Sequence, residues 1–177
     1  MRIISGQHKG RRLRAPKQLP VRPTTDMAKE ALFSILTHRY DFEQIEVLDL
    51  FSGTGNISYE FCSRGTSAIQ AVDKNRRCVK FIQQTADNLD IPVQVLNSDV
   101  FSFLVKTTKS YDVIFADPPY AIKQQDLEKL IAIVFKRKLL KPQGVFIVEH
   151  SKHSNSHHIN NFVSIKTYGG NCFSFFE

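Results

Sequence analysis

Asp117-Pro118-Pro119-Tyr120 packs more chemistry into four residues than any other segment of this 177-residue sequence. An apolar run, Asp112-Val113-Ile114-Phe115-Ala116, feeds into a carboxylate, two prolines and an aromatic ring. The prolines lock φ and remove two N–H groups. Backbone carbonyls such as that of Pro118 are left free to accept hydrogen bonds. An exocyclic amine on a nucleic-acid base needs such acceptors, because its lone pair is delocalised into the ring and attacks poorly. Two acceptors on its N–H groups hold it in line with a methyl donor and favour the tetrahedral nitrogen of the transition state. Tyr120 can stack on a flat base. No covalent nucleophile and no metal are required.

Three other points share the character of Asp117: each follows an apolar run. Gly53-Thr54-Gly55 ends Val47-Leu48-Asp49-Leu50-Phe51, and glycine lets a backbone approach a ligand closely. Asp73 ends Ala68-Ile69-Gln70-Ala71-Val72, about twenty residues further on. A carboxylate there can accept both hydroxyls of a ribose, in NAD and in S-adenosyl-L-methionine alike. Asp99 follows Val93-Gln94-Val95-Leu96. The glycines are not a dinucleotide fingerprint, since Ser58 stands where its third glycine belongs. Nor are they a P-loop, since no Gly-Lys-Ser/Thr follows.

These points must be held by an alternating α/β chain. Thr24 or Thr25 can cap a helix running from Met27 to about Thr37, with Ala28, Ala31, Leu32, Ile35 and Leu36 at helical spacing. Helices are expected to about Arg64, where Gly65 ends the turn, and over 76–88, 100–106 and 124–138. Pro142-Gln143-Gly144 reads as a turn before a fifth strand, Val145 to Glu149. Phe162-Val163-Ser164-Ile165 and Cys172 to Phe176 read as a hairpin around Tyr168-Gly169-Gly170-Asn171. Five strand–helix alternations demand a mainly parallel sheet with helices on both faces. Such sheets bind ligands beyond the carboxyl ends of their strands, where all four points fall.

The net charge is +7, and residues 1–30 carry most of it: eight Lys and Arg against Asp26 and Glu30 alone. That stretch begins as an arm, residues 1–23, with short β-type pieces at Ile3-Ile4 and around Leu13 broken by Gly6, Gly10, Pro16, Pro20 and Pro23. Its arginines suit phosphate oxygens. The expected organisation is one domain over 1–177, the arm at 1–23 and a core at 24–177. Cys62, Cys78 and Cys172 are odd in number and form no CxxC, so neither a disulfide framework nor a zinc site is expected. His150 to Asn161, with His153, His157 and His158, reads as a solvated loop. No apolar run approaches the ~20 residues of a membrane span, and the start lacks the apolar stretch of a signal peptide. A cytoplasmic protein is expected.

The motifs together resemble a known family. Asp49-Leu50-Phe51-Ser52-Gly53-Thr54-Gly55 resembles the cofactor motif of class I methyltransferases, and Asp117-Pro118-Pro119-Tyr120 that of amino-methyltransferases acting on nucleic acids. Leu140-Lys141-Pro142-Gln143-Gly144 is similar to the turn before their fifth strand. Arg2-Ile3-Ile4-Ser5-Gly6, Gly10-Arg11-Arg12-Leu13 and Arg22-Pro23-Thr24-Thr25-Asp26, followed by Lys29-Glu30-Ala31-Leu32-Phe33, resemble the RsmD family, whose members methylate a guanine N2 of bacterial 16S ribosomal RNA.

The resemblance covers the whole chain. It implies a Rossmann-like class I methyltransferase fold: a seven-stranded, mostly parallel sheet with an antiparallel last strand. S-adenosyl-L-methionine is the implied cofactor. Phe51, Ser52, Gly53, Thr54, Gly55 and Asn56 would wrap its methionine end, with Asp49 supporting the loop. Asp73 would take the ribose, and Asp99 with the Val100 backbone the adenine. Asp117, Pro118 and Pro119 would present the amine and Tyr120 would stack on the guanine. Lys9, Arg11, Arg12, Arg14 and Arg22 would hold RNA, within an assembled or assembling small subunit, and the protein would act as a monomer. Two positions depart from the pattern without touching the chemistry: Asn56-Ile57-Ser58-Tyr59 replaces small apolar residues after the glycines, and Met27 stands where a basic residue is commoner.

Three rivals keep part of this reading. A DNA adenine-N6 methyltransferase uses a similar tetrapeptide, but the chain leaves little length for a target-recognition domain. A non-catalytic RNA-binding assembly factor would not need the intact Gly53, Gly55, Asp73 and Asp117 set. An NAD-dependent oxidoreductase lacks its third glycine here.

Overall fold

The computed structural model describes residues 1–16, 19, 24–151 and 156–177. Arg22 and His153, both singled out in the sequence, lie outside the described residues.

Seven strands form one sheet: β1 (Glu46–Leu50), β2 (Ala68–Asp73), β3 (Val93–Asn97), β4 (Tyr111–Ala116), β5 (Leu140–Ser151), β6 (Phe162–Tyr168) and β7 (Asn171–Phe176). Their order is β3-β2-β1-β4-β5-β7-β6. All neighbours are parallel except β7, which is antiparallel to both β5 and β6. The order reverses between β1 and β4, opening the crevice such sheets use for ligands. Five α-helices flank the sheet: α1 (Asp26–Thr37), α2 (Asn56–Ser63), α3 (Arg76–Leu89), α4 (Val100–Lys106) and α5 (Gln124–Lys136).

Alternation along the strands sorts side chains onto two faces. Val47, Ile69, Ala71, Val113, Phe115, Val145, Ile147 and Phe173 meet Leu32, Phe33 and Leu36 of α1, Tyr59 and Phe61 of α2, and Ile82 and Ala86 of α3. Leu48, Leu50, Val72, Ile114, Ala116, Phe146, Val148 and Phe176 meet Val100 and Leu104 of α4 and Leu127, Leu130, Ile131 and Val134 of α5. Local signals set the helix starts. The side chains of Thr25, Asn75 and Asp99 accept N–H bonds in the first turns of α1, α3 and α4.

The structure revises two local expectations. Pro142-Gln143-Gly144 is not a turn ahead of a strand. β5 starts at Leu140 and carries these residues as a bulge, with Gln143 at φ 65° and a register shift against Tyr111 and Val113 of β4. His150 and Ser151 belong to β5 rather than to a loop. His150 is buried, its Nε2 2.7 Å from Ser174 Oγ, and burial lowers its pKa. The start of the arm is docked on the core. Arg2 bridges Arg12 in a small hairpin, and Ile3 is buried in the core. Gly6, at φ 82°, lies so close to α2 that a Cβ there would sit 1.6 Å from the Ser63 carbonyl oxygen. Only glycine fits that position.

Candidate active site

The carboxyl ends of β1, β2 and β4 open into a cavity of about 650 Å³. Its walls include Asp49, Phe51, Ser52, Gly53, Thr54, Asn56, Asp73, Asp99, Val100, Asp117, Pro118, Pro119 and Tyr120. Thus every residue that the sequence assigns to cofactor or amine lines one space, save Gly55. Gly55 sits just behind, as the left-handed N-cap of α2 (φ 75°). A Cβ at that position would meet the Tyr59 ring at 2.8 Å, so the turn needs glycine for space as well as for its backbone.

The loop is wired to the strands on both sides. Gly53 N–H donates to Asp73 Oδ2 at 2.8 Å, and Asn75 N–H donates to Asp73 Oδ1 at 2.7 Å. Ser58 donates to Asp49 Oδ2 from its backbone (3.2 Å) and from its hydroxyl (2.5 Å). Asp49 is buried, and that burial pushes its pKa up to about 7, against the Ser58 hydrogen bonds that pull it down and with the Asp73 charge that raises it. Ser52 Oγ is buried and has no hydrogen-bond partner among the described residues. A polar ligand in the cavity would satisfy it. The Ser52 hydroxyl, the glycine backbone and the Asp73 carboxylate fit a ligand with a charged amino-acid end and a ribose.

Asp117 lies one residue past β4, its N–H bonded to the Leu50 carbonyl at 3.3 Å. Its pKa is raised well above the usual carboxylate range, first by burial and then by the charges of Glu149 and Asp49. Tyr120 is 52% exposed at the rim. A half-exposed ring beside two prolines can receive a flat group arriving from solvent. Asp99 spends one carboxylate oxygen on the Ser102 N–H of α4, at 2.9 Å.

The basic residues lie elsewhere. Lys9, Arg11, Arg12 and Arg14 are exposed. Arg11, Arg12 and Arg14 line a second concavity of about 420 Å³ with Phe81, Thr85 and Asn88 of α3. None of the four lines the first cavity.

A buried polar chain behind the cavity was not anticipated. The Lys29 ammonium has no exposed surface; it donates to Asn56 Oδ1 (2.8 Å) and the Arg2 carbonyl (2.7 Å) and pairs with Glu60 at 3.3 Å. Burial lowers the Lys29 pKa, and Glu60 opposes that shift. The Glu60 carboxylate accepts the N–H groups of Ile4 and Ser5. Asn56 Nδ2 donates to the Thr24 carbonyl at 3.2 Å, and the Thr24 hydroxyl donates to Glu149 Oε2 at 2.6 Å. Asn171 Nδ2 donates to Glu149 Oε1. So Asn56 and Ser58, which depart from the expected small residues, each hold a partner of the site. A signal existed for Lys29: it falls on the apolar stripe of α1, three, four and seven residues before Leu32, Phe33 and Leu36. Glu149 also closes an apolar run, Val145 to Val148, as Asp117 closes Val113 to Ala116.

Among the described residues, no three His, Cys, Asp or Glu are grouped to hold a metal ion, and no helix is long and apolar enough to cross a membrane.

Comparison with known proteins places this geometry. The family model described as Conserved hypothetical protein 95 matches residues 1–177. Ribosomal RNA small subunit methyltransferase D of Buchnera aphidicola (subsp. Baizongia pistaciae) is 30% identical over 156 residues, covering 88% of this chain and 78% of that one. The protein of the same name from Escherichia coli K12 is 29% identical, covering 84% and 74%. The solved structure of Escherichia coli yhhF superposes with a TM-score of 0.85 at 27% identity, over 99% and 96% of the two chains. The Thermus thermophilus 16S rRNA N2 methyltransferase RsmC, solved with AdoMet and guanosine, shares the fold at a TM-score of 0.71 and 21% identity, over 87% of this chain and 43% of that one. The chain has the class I methyltransferase fold and belongs to the RsmD family.

Proposed function

We propose that this chain transfers a methyl group from S-adenosyl-L-methionine to the exocyclic N2 amine of a guanine in small-subunit (16S) ribosomal RNA. The observation that carries the reading is a single cavity shared by Gly53 and Thr54 of the glycine turn, Asp73 and the Asp117–Tyr120 segment. Ser52 Oγ and the backbone from Phe51 to Asn56 hold the methionine end, with Thr54 and Gly55 shaping the turn and Asp49 bracing it. Asp73 accepts the ribose hydroxyls; Asp99 and the Val100 backbone meet the adenine. The cofactor supplies an electrophilic sulfonium methyl and leaves as S-adenosylhomocysteine.

In-line transfer needs the amine lone pair aimed at that methyl. Asp117 and the Pro118 carbonyl aim it by accepting the two N–H bonds, Pro119 fixes their backbone, and Tyr120 stacks on the base. Asp117 then holds the surplus proton until it passes to solvent. A carboxylate whose pKa is raised suits that task, because it binds a proton readily. Asp117 takes up the amine's proton only when ionised, so activity falls as pH drops, and it does so above the usual carboxylate range.

Lys9, Arg11, Arg12, Arg14 and Arg22 contact the RNA backbone. The arm (1–23) and the core (24–177) act as one domain and as a monomer, in the cytoplasm. An assembled or assembling small subunit is the expected substrate, since so small a protein gains enough contact only from a large particle. The test is methyl transfer from radiolabelled cofactor to unmodified small subunits, naked 16S RNA and duplex DNA, digested to nucleosides. Label in N2-methylguanosine from an RNA sample supports the reading. Label in N6-methyladenine from DNA overturns the substrate, and no label with no cofactor binding overturns the enzyme.

A further inference from the structure

We propose that Glu149, clamped by Thr24 and Asn171, is a positioning residue whose negative charge acts on Asp117 across β4 and β5. The proposal rests on the reading of Asp117 as the acceptor of the amine.

The sheet brings the two carboxylates together. β4 and β5 run parallel, with Phe115 opposite Ile147 and Ala116 opposite Val148. Asp117 and Glu149 occupy the next step along each strand. By alternation both side chains leave the sheet on the face of Phe115 and Ile147, the face covered by α1, α2 and α3. Neighbours on adjacent parallel strands are about 5 Å apart. At that spacing two carboxylates feel one another strongly.

Glu149 does not line the cavity and is 2% exposed, so it has no direct access to a substrate. Its two oxygens are held separately: Oε2 by the Thr24 hydroxyl at 2.6 Å, and Oε1 by the Asn171 amide. The clamp comes from two distant parts of the chain, the segment before α1 and the start of β7. Thr24 itself lines the cavity, and its carbonyl accepts a bond from Asn56 of the cofactor loop. Thus Glu149 is tied to the cavity wall through Thr24, without lining the cavity itself. A buried carboxylate is costly unless its lone pairs are satisfied, and these two donors meet that need.

The described charged groups around Asp117 are few. Asp49 faces it from β1 and Glu149 from β5, and Asp73 of β2 acts on Asp49 in turn. Lys29 of α1 is matched against Glu60 of α2, on the far side of Asn56. Both charges raise the proton affinity of Asp117, Glu149 more than Asp49. With Glu149 in place, Asp117 is poised to take the proton of the amine.

The experiment measures kcat/KM against pH for the wild type, Glu149→Gln and Thr24→Val, on whichever substrate takes label. Glu149→Gln removes the charge and keeps the shape, so the acid limb moves to lower pH by about one unit or more. Thr24→Val removes a donor from the carboxylate pair, which then binds its proton more tightly, so the limb moves to higher pH. Cofactor Kd stays within about two-fold of wild type for Glu149→Gln, because the pair acts on the amine side. Shifts of opposite sign support the proposal; a merely structural role lowers the melting temperature without moving either limb. A folded Glu149→Gln with an unmoved limb overturns it. Where Glu149→Gln does not fold, an unmoved limb in Thr24→Val overturns it.

A second readout needs no substrate. The infrared band of the protonated Asp117 carboxyl, identified as the band lost in Asp117→Asn, is titrated in both backgrounds. Titration at lower pH in Glu149→Gln supports the pairing even if the methyl acceptor is misassigned. An unshifted band overturns the pairing even if the methyl acceptor is right.

Discussion

On the face covered by α4 and α5, the strands offer Leu48, Leu50, Val72, Ile114, Ala116, Phe146 and Val148 to an apolar layer. On the face covered by α1, α2 and α3, the sheet carries Asp49, Asp73, Asp117 and Glu149 at or near the carboxyl ends of β1, β2, β4 and β5. Beneath these lie the fully buried Lys29 and Glu60. Both faces supply apolar burial, at roughly 25 cal/mol per Å². The second also holds charge in a poor solvent, at a cost that only matched partners offset. That cost is tolerated where the molecule needs fixed dipoles beside a ligand. Apolar packing is thus shared by both sides of the sheet, and buried charge is added to it on one.

The sharpest way to break this comparison is at the tip of the polar face. Asp117→Ala should remove turnover by about a thousand-fold or more, as loss of an oriented polar group at a reacting centre does. Cofactor affinity, measured by calorimetry, should change little, because the glycine loop and Asp73 are untouched. Near-normal turnover would detach Asp117 from the chemistry.

Substitutions inside each face give the next largest effects, and they should differ in kind. Leu130→Ala, in the middle of α5, should cost about 2–5 kcal/mol of stability from denaturant unfolding, with kcat/KM near wild type below the melting range. Lys29→Met should cost about 3–5 kcal/mol, because it strands the Glu60 carboxylate without its cation. It should also weaken cofactor binding, since Asn56 loses the donor that fixes it against the cavity. Equal effects of the two variants on cofactor Kd would erase the distinction between the faces.

The same contrast explains what was legible in the sequence. Apolar runs closed by Gly53, Asp73, Asp99 and Asp117 mark strand ends, because a buried strand must be apolar and a ligand site must not be. Seven strands and five helices follow from that rhythm, and the cavity-lining residues follow from the strand ends. Two kinds of feature escape it. Gln143 sits at φ 65° inside β5, where Pro142-Gln143-Gly144 carries every local mark of a turn; pairing with β4 overrides the local preference. Lys29, Glu60, Thr24 and Asn171 form a chain whose members come from four separate elements. A polar residue reads as solvated until the fold shows which distant group completes it. Asn56 and Ser58 read as departures for the same reason.

A smaller effect, in pH rather than in absolute stability, probes the buried carboxylates. Asp49 has its pKa raised from 3.8 to about 7. The folded protein therefore holds a proton on Asp49 that the unfolded chain has released, across that interval. Stability from this group is full below about pH 4 and is lost as pH rises to about 7. Asp49→Asn should flatten that part of the melting-temperature profile, while weakening cofactor binding through Ser58 and the loop. An unchanged profile would mean that the Ser58 hydrogen bonds offset the burial.

The smallest effect is expected at the arm, where the two kinds of construction meet. The hairpin is anchored from within: Ile3 is buried, Gly6 rests on Ser63, and Glu60 takes the N–H groups of Ile4 and Ser5. The guanidinium groups of Arg11 and Arg12 point away from that anchor into the outer concavity beside Phe81. Changing both to Gln should therefore leave the melting temperature within a degree or so, in contrast to Lys29→Met. If the arm contacts RNA phosphates, two lost contacts lower the salt dependence of RNA affinity by roughly 0.7 per phosphate. The change appears as a flatter plot of log affinity against log salt, with the intrinsic rate of bound complexes preserved. A fall in melting temperature with an unchanged salt slope would make these arginines part of the anchor. It would also move the boundary between scaffold and binding surface outward by one layer.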